Sequence, residues 1–477
     1  MSSPGKPPQV FEVPDRNPGQ LEGLNILVLG LGVHGGGTEL IHYLHSKGAR
    51  LTISDSGNKD DLNESLQDIE HCAESIFIGP HEEEQLEGID WVVVNPAIPP
   101  HAPFLKKVFS SGVRVVSELG LFLAWCPREY LAAVSGTNGK STVCELTRSM
   151  LSDSGIPAVA GGNLGGSLLG MLDGADRELR WIVEISSFQL DRLGPLCPRP
   201  STVAITNFSE DHLDWHGSRD AYLKAKFELL KNPDPSPGYA ILPDTGQFGI
   251  DLIPQLEDFE ILRSTGETTD PNEFIIPQQN DTELSIPYRP SQSLQGPTGR
   301  KNAHMAATLA RHLGASSEGI STAIQSFSGL PHRFQLIETI KGVTYIDDSK
   351  ATTPDSAQAA LSNLSGKIYW LCGGKSKGLS LLQLSETASD KNIEILGFGS
   401  SNHELKEAFS GVDSGNCFRG FEDLEAAFKI ASSEAAPGDT VLLSPGYPSF
   451  DQYLSFEARG QHFKKLVGTL GTYPNEA

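Results

Sequence analysis

Long apolar runs are missing from this chain of 477 residues. None would span a bilayer, and the proline-rich stretch from Met1 to Gln20 holds no signal-peptide core. A soluble, cytoplasmic protein without membrane insertion is expected, with Met1 to Gln20 reading as a mobile arm. Cysteine is scarce as well. The six, at Cys72, Cys126, Cys144, Cys197, Cys372 and Cys417, show no C-x-x-C spacing. That usage suits reduced thiols rather than a disulfide framework or a zinc site. Cations are outnumbered: 37 Lys and Arg face 60 Asp and Glu, for a formal net charge of −23. The balance argues against nucleic acid or an anionic membrane surface as main partner. An anionic substrate would need Lys and Arg concentrated locally. The length allows roughly two to four domains with their own cores.

What is present centres on Ser135-Gly136-Thr137-Asn138-Gly139-Lys140-Ser141-Thr142. It follows the apolar run Leu131 to Val134 and precedes Val143, Leu146, Met150 and Leu151 at helical spacing, so the order reads strand, glycine loop, helix. Such a loop aims backbone N–H groups at an anion, and the helix N-terminus adds the positive end of its dipole. Lys140 supplies a point charge for the β and γ phosphates, and the Ser141 hydroxyl suits Mg²⁺. Val134 stands where the usual phosphate-loop pattern has its first glycine, so this loop is a compact variant. The alternative is a glycine-rich turn capping an ordinary helix.

In chain order, Asn25 to Leu29 reads as a buried strand. Gly30-Leu31-Gly32-Val33-His34-Gly35 and a helix over Thr38 to Ser46 follow it, and a second strand ends at Asp55. This is a dinucleotide-type fingerprint, and it makes the case for a nicotinamide-dependent dehydrogenase. Further strands at Trp91 to Val94 and Val113 to Val116 suggest a parallel sheet. In the second block, a strand at Trp181 to Glu184 presents a carboxylate at its C-terminal end, positioned for a phosphate-bound metal; the alternative is a helix-capping acid. The strand Thr202 to Thr206 leads into Asn207-Phe-Ser-Glu210-Asp211-His212-Leu-Asp214, a candidate metal or acid/base cluster. Asp220 to Leu230 reads as a helix on which Lys224 and Lys226 both look solvated. Asn232 to Pro297 reads as irregular strands and hairpins, and Gly299-Arg300-Lys301-Asn302 opens a helix over Ala303 to Leu313.

After Gly329 the alternation restarts, with strands at Val343–Ile346, Lys367–Leu371, Glu394–Gly397 and Thr440–Leu443 and helices between them. Their polar ends are Asp347-Asp348-Ser349-Lys350-Ala351-Thr352, Cys372-Gly373-Gly374-Lys375-Ser376-Lys377 and Ser444-Pro-Gly-Tyr-Pro-Ser449. The fold class is α/β with three domains in series: a Rossmann-like domain over 21–122, a phosphate-loop domain over 123–329 and a second Rossmann-like domain over 330–477.

These residues resemble the Mur ligases, within them the D-glutamate-adding type. The resemblance rests on Gly136-Thr-Asn-Gly-Lys-Ser-Thr142, Glu184-Ile-Ser-Ser-Phe-Gln-Leu190, Asn207-Phe-Ser-Glu-Asp-His212, Leu330-Pro-His-Arg-Phe334, Asp348-Ser-Lys-Ala-Thr352 and the closing Asp451-Gln-Tyr and Phe456-Glu-x-Arg459-Gly460. The Asp-Asn-Pro-Arg run of the diamino-acid ligases is absent. The resemblance implies ATP-driven amide synthesis from UDP-N-acetylmuramoyl-L-alanine and D-glutamate by a monomer with two Mg²⁺ sites. Gly136, Thr137, Asn138, Gly139, Lys140, Ser141 and Thr142 would bind the nucleotide with Asn302, Arg333 and Asp348. Ser141, Glu184, His212 and a carbamylated Lys226 would serve the metals, with Lys140, His212, Lys226 and Asp348 catalytic. Gly30, Gly32, Gly35, Asp55, Ser56 and Asn163 would hold the UDP substrate, and Lys350, Thr352, Lys377, Ser449 and Phe456 the amino acid. There are two departures. Met305 stands where the pattern has a second Asn, and Asn95-Pro96-Ala97 replaces Ser-Pro-Gly. A folylpolyglutamate synthetase-like ligase and a non-catalytic nucleotide-binding module are the other readings.

Overall fold

The computed structural model describes residues 11–12, 18–32, 36–59, 62–194, 197–208, 213–231, 233–243, 256, 259–264, 270–277, 283–376, 380–389, 391–409 and 418–471. His212, Gly35, Lys377 and most of the expected N-terminal arm lie outside them. The chain divides into two compact units, Met1–Pro287 with His304–Ala323, and Tyr288–Ala303 with Ile324–Ala477.

The first unit holds two parallel sheets. Strands β1 (Asn25–Leu29), β2 (Arg50–Asp55), β3 (Ala73–Ile78), β4 (Trp91–Val94) and β5 (Arg114–Val116) lie in the order β3-β2-β1-β4-β5. The order reverses between β1 and β4, so the Gly30 loop emerges at the switch point where α/β sheets take ligands. The second sheet is built from β6 (Leu131–Ser135), β7 (Ala158–Gly162), β8 (Arg180–Glu184), β9 (Arg199–Ile205), β10 (Pro233–Pro243) and β11 (Phe259–Ser264), ordered β11-β10-β9-β6-β8-β7. β6 is buried throughout, lying between β9 and β8 with the helix Lys140–Asp153 packed against it. The helix Lys140–Asp153 turns Val143, Leu146, Met150 and Leu151 inward, each worth roughly 1.5–3 kcal/mol on burial. One apolar cluster runs from Ile26 and Ile53 of the first sheet to Ala133, Val183 and Val203 of the second, which is why these two sheets form a single unit.

The reading of 232–297 as hairpins is corrected in part. β12 (Glu273–Pro277) and β13 (Glu283–Pro287) do pair antiparallel, but β10 and β11 extend the central parallel sheet. Three prolines, at Pro233, Pro235 and Pro237, disguise the buried run Ala240-Ile241-Leu242 that carries β10 into the core. The expected helix at Ala303 starts earlier, as Gly296–His312, so Arg300, Lys301 and Asn302 lie on it. Pro297 suits a first turn, where its missing N–H would have no partner in any case.

The second unit is a six-stranded sheet of β14 (Gln335–Ile340), β15 (Val343–Asp347), β16 (Ile368–Gly373), β17 (Ile393–Phe398), β18 (Phe418–Phe421) and β19 (Thr440–Leu443), ordered β14-β15-β19-β16-β17-β18. Only β14 runs antiparallel. Asp347, Leu443 and Gly373 therefore end adjacent strands on one edge, as the three polar strand ends required. Among the described residues no helix is long and apolar enough to cross a membrane.

Candidate active site

The loop after β6 is held by its two neighbouring strands. Val134 pairs in register with Glu184 of β8, and Ser135 with Ile205 of β9, so the ends of three strands surround it. Gly136 has φ +136°, and a Cβ there would lie 2.0 Å from Thr206 Oγ1; no other residue fits. Thr206 Oγ1 donates to the Asn138 carbonyl at 2.6 Å, and Thr137 N–H donates to the Asn207 carbonyl at 3.1 Å. The Thr137 hydroxyl lies 3.0 Å from Tyr222 OH. Lys140 Nζ donates to the Thr137 carbonyl at 2.7 Å, which keeps the ammonium over its own loop.

Glu184 and Ser141 are both buried, and the Ser141 hydroxyl donates to the Glu184 carboxylate. The other carboxylate oxygen accepts from Asn163 Nδ2 at 2.9 Å. Glu184 does not cap the helix that follows. Ser186 does, in a reciprocal capping box with Gln189, worth about 1 kcal/mol. That box turns the chain two residues after the strand end and leaves Glu184 facing the loop. Gly162 fixes the other side, because a Cβ there would sit 2.4 Å from the Glu184 carbonyl. A buried hydroxyl beside a carboxylate is an oxygen donor pair of the kind magnesium takes. The residues fit the ion.

Lys226 overturns its reading as a solvated lysine. It is 2% exposed, and its Nζ donates to the Gly136 carbonyl at 2.6 Å. The Tyr222 ring lies 4.8 Å away and the Phe208 ring 5.9 Å. Lys224, on the other face, is exposed as expected.

At the first sheet, Asp55 organises the glycine loop. Its Oδ2 accepts from the N–H of Leu31 at 2.7 Å and of Gly32 at 3.1 Å, and its Oδ1 accepts from Gly57 N–H at 2.7 Å. Asn95 donates to the Gly30 carbonyl at 3.3 Å and accepts from Ala97 N–H at 2.9 Å, so the departure from Ser-Pro-Gly supplies a loop brace of its own. Ser56, next to Asp55, is exposed; Asn163 is also exposed but lies beside Glu184 at the second sheet. Glu39 and Glu118 both accept from Ser167, on its N–H and its hydroxyl respectively. Burial raises the Glu118 carboxyl above its ordinary range, against the hydrogen bonds from Ser167 and Leu169.

In the second unit, Asp348 is buried at the end of β15. Its carboxylate accepts from Phe334 N–H at 3.0 Å and from Ser444 Oγ at 2.8 Å. Burial pushes the carboxyl up to about 7, while the Ser444 and Phe334 hydrogen bonds pull the other way. Lys350 Nζ stands 3.9 Å over the Phe456 ring. Thr352 is half-buried and Ser449 buried. Arg459 belongs to the closing motif, and the resemblance assigns it no role. It is fully buried and donates to Ser349 Oγ at 3.0 Å, the Ser349 carbonyl at 2.8 Å and the Gly373 carbonyl at 3.3 Å. It ties two of the polar strand ends together. The signal for it was an arginine on an otherwise apolar helical face. Asn302 is half-buried, while Met305, one turn on, is buried and offers no polar edge.

Three family models match the chain in series. They are described as Mur ligase MurD-like, N-terminal domain, over residues 24–117; Mur ligase middle domain, over 134–287; and Mur ligase, glutamate ligase domain, over 332–446. The chain belongs to the Mur ligase family. It is 32% identical over 462 residues to the UDP-N-acetylmuramoylalanine–D-glutamate ligase of a Roseiflexus species, covering 94% of this chain and 99% of that one. It is 30% identical to the enzyme of the same name from Desulfatibacillum aliphaticivorans, with the same coverage. Among solved structures, a murein peptide ligase of Psychrobacter arcticus superposes with a TM-score of 0.55 at 18% identity, covering 95% of this chain and 100% of that one. It shares the fold. Membership of the Mur ligases sets the dehydrogenase reading aside, and Asp55 bonding its own loop agrees with that.

Proposed function

We propose that this Mur ligase joins D-glutamate to UDP-N-acetylmuramoyl-L-alanine at the expense of ATP, a step of peptidoglycan precursor synthesis. The observation that carries this reading is the likeness, at 30 to 32% identity along 94% of the chain, to relatives bearing that name. The phosphate loop with Ser141 against Glu184 supports it chemically. A carboxylate does not condense with an amine at neutral pH. The substrate carboxylate oxygen attacks the γ phosphorus, the bond to the β-phosphate oxygen breaks, and ADP leaves with the electron pair. The amine of D-glutamate then attacks the acyl carbon, gives up a proton, and the tetrahedral intermediate expels phosphate. The protein's part is positioning and charge neutralisation.

In this reading Gly136 to Thr142 cradle the phosphates, with Lys140 as their point charge. Asn138, Asn302, Arg333 and Asp348 meet the nucleotide. Ser141 and Glu184 would hold one Mg²⁺, which would supply positive charge to the phosphates. Lys226, as a carbamate, and His212 would serve a second. The carbamate forms when the neutral amine attacks CO₂ and loses a proton, turning a buried cation into a carboxylate. Gly30, Gly32, Gly35, Asp55, Ser56 and Asn163 take the UDP substrate. Lys350, Thr352, Lys377, Ser449 and Phe456 take the amino acid, which brings two carboxylates into a protein of net charge −23 and so needs those cations close by.

The test is a coupled phosphate-release assay at fixed ATP and UDP-N-acetylmuramoyl-L-alanine, scanning amino acids. D-glutamate should turn over fastest. Faster release with L-glutamate, L-alanine or L-lysine overturns the assignment, and turnover without a UDP-sugar favours the folylpolyglutamate synthetase-like reading.

A further inference from the structure

We propose that His42, His71 and Cys72 form a binding site for a divalent transition-metal ion of the zinc class, with Asp68 orienting His42. The site lies apart from every residue given a role in ligation. His42 stands on the helix Gly36–Ser46, and His71 and Cys72 follow the helix Asn63–Ile69, just before β3. The cluster thus lies toward the amino ends of the strands, whereas Gly30 and Asp55 mark their carboxyl ends.

One ligand atom from each of the three residues lies within 4.8 Å of the other two. Cys72 Sγ is 3.3 Å from His42 Nδ1, and His42 Nε2 is 3.0 Å from Asp68 Oδ2. The carboxylate at Nε2 selects the tautomer. In the neutral ring that donates from Nε2 to Asp68, the Nδ1 lone pair faces the sulfur. A ring that donates to a carboxylate on one side and offers a lone pair on the other is arranged as metal-bound histidines are. Bonds of about 2.0 Å to nitrogen and 2.3 Å to sulfur put tetrahedral ligand atoms roughly 3.3 to 3.8 Å apart. The Cys72–His42 pair already meets that spacing. The His71 ring is exposed, its centroid 5.6 Å from that of His42, and a side-chain rotation closes the remaining gap. His45, one turn along the same helix and 6.4 Å from the His71 ring, or a water supplies the fourth position.

The donor set decides the ion. A thiolate with two imidazoles favours zinc, cobalt or copper over the oxygen-seeking magnesium of the phosphate loop. The absence of C-x-x-C spacing does not bear on this site, because its ligands come from two different elements. Metal here would clamp the helix that follows the first glycine loop to the chain entering β3. It would add stability to the first sheet and take no part in the chemistry.

Titration of the full chain, stripped of metal by a chelator and then desalted, tests the proposal, with cobalt(II) as the probe. One equivalent per chain should produce a thiolate-to-cobalt charge-transfer band in the near ultraviolet, bleached by one equivalent of zinc. Cys72→Ser should abolish the band, and His71→Ala, an exposed substitution that leaves the core intact, should weaken binding at least about tenfold. Asp68→Asn should keep the band with affinity roughly 10- to 100-fold lower. Zinc should raise the melting temperature of the wild type but not of Cys72→Ser. Absence of the band in a folded wild type, or cobalt and zinc affinities unchanged in both Cys72→Ser and His71→Ala, would overturn it.

Discussion

The side chain of Asn207 pairs with the backbone of Asn138 in both directions: its Oδ1 accepts from Asn138 N–H at 2.9 Å, and its Nδ2 donates to the Asn138 carbonyl at 2.8 Å. An amide side chain here does what a neighbouring strand would do, and it fixes the loop where a strand cannot reach. Asn207→Ala should lose both bonds, at about 1 kcal/mol each, and raise the KM for ATP. Asn207→Asp keeps the acceptor but loses the donor and adds a negative charge beside the phosphate loop, so it should impair turnover more than alanine does. Thermal unfolding and ATP saturation curves on the two variants check the order.

Lys140→Ala should abolish ligation with the fold intact. Its hydrogen bond to the Thr137 carbonyl is local, so stability should change little, while loss of the charge should cut turnover about 100- to 1000-fold. Substantial turnover in a normally melting variant would rule out the phosphate-loop assignment.

For Lys226 the carbamate makes a different forecast from an ordinary lysine. Lys226→Ala should be inactive, and acetate or another short carboxylate should restore part of the rate by occupying the vacated position. An active alanine variant, with an unmodified ammonium in a high-resolution map, would count decisively against it.

The Asp348 carboxyl, pushed by burial from 3.8 to about 7, carries a pH signature. Between those values the native state holds a proton that the unfolded chain has released, so stability falls as pH rises through that window. The loss, at most about 4 kcal/mol, should be complete above the folded value and absent below the unfolded one. Asp348→Asn keeps an acceptor for Phe334 and a partner for Ser444 but cannot titrate. Urea unfolding from pH 4 to 8 should therefore give a flatter profile for the variant, and a wild-type curve with the same slope as the variant would contradict the burial argument.

The strand, glycine loop and helix from Leu131 to Asp153 were legible because an apolar run, two glycines and a 3.6-residue stripe agree with one another. The edges of the sheets were not. Ala73–Ile78 and Ala158–Gly162 are half-buried or exposed along most of their length, so neither alternation nor a continuous apolar run marks them. Lys226 was misread for a different reason. The carbonyl that buries it belongs to Gly136, 90 positions earlier, and no local pattern encodes that meeting. Asn207 belongs to the motif Asn207 to His212, but its work on the loop depends on β6 and β9 lying side by side, a fact of topology rather than of spacing.

His332 and Phe334 adopt left-handed backbone, at φ 61° and 47°, a conformation costing of order 1 kcal/mol or more for each. Two adjacent acids hold them there. Asp347 lies 2.6 Å from the His332 ring nitrogen, and Asp348 accepts from Phe334 N–H. Arg333 is thus presented by a tripeptide anchored at both ends, whose conformational freedom is surrendered when the chain folds. An anion arriving at its guanidinium meets a preorganised receptor, and more of the contact energy then appears as affinity.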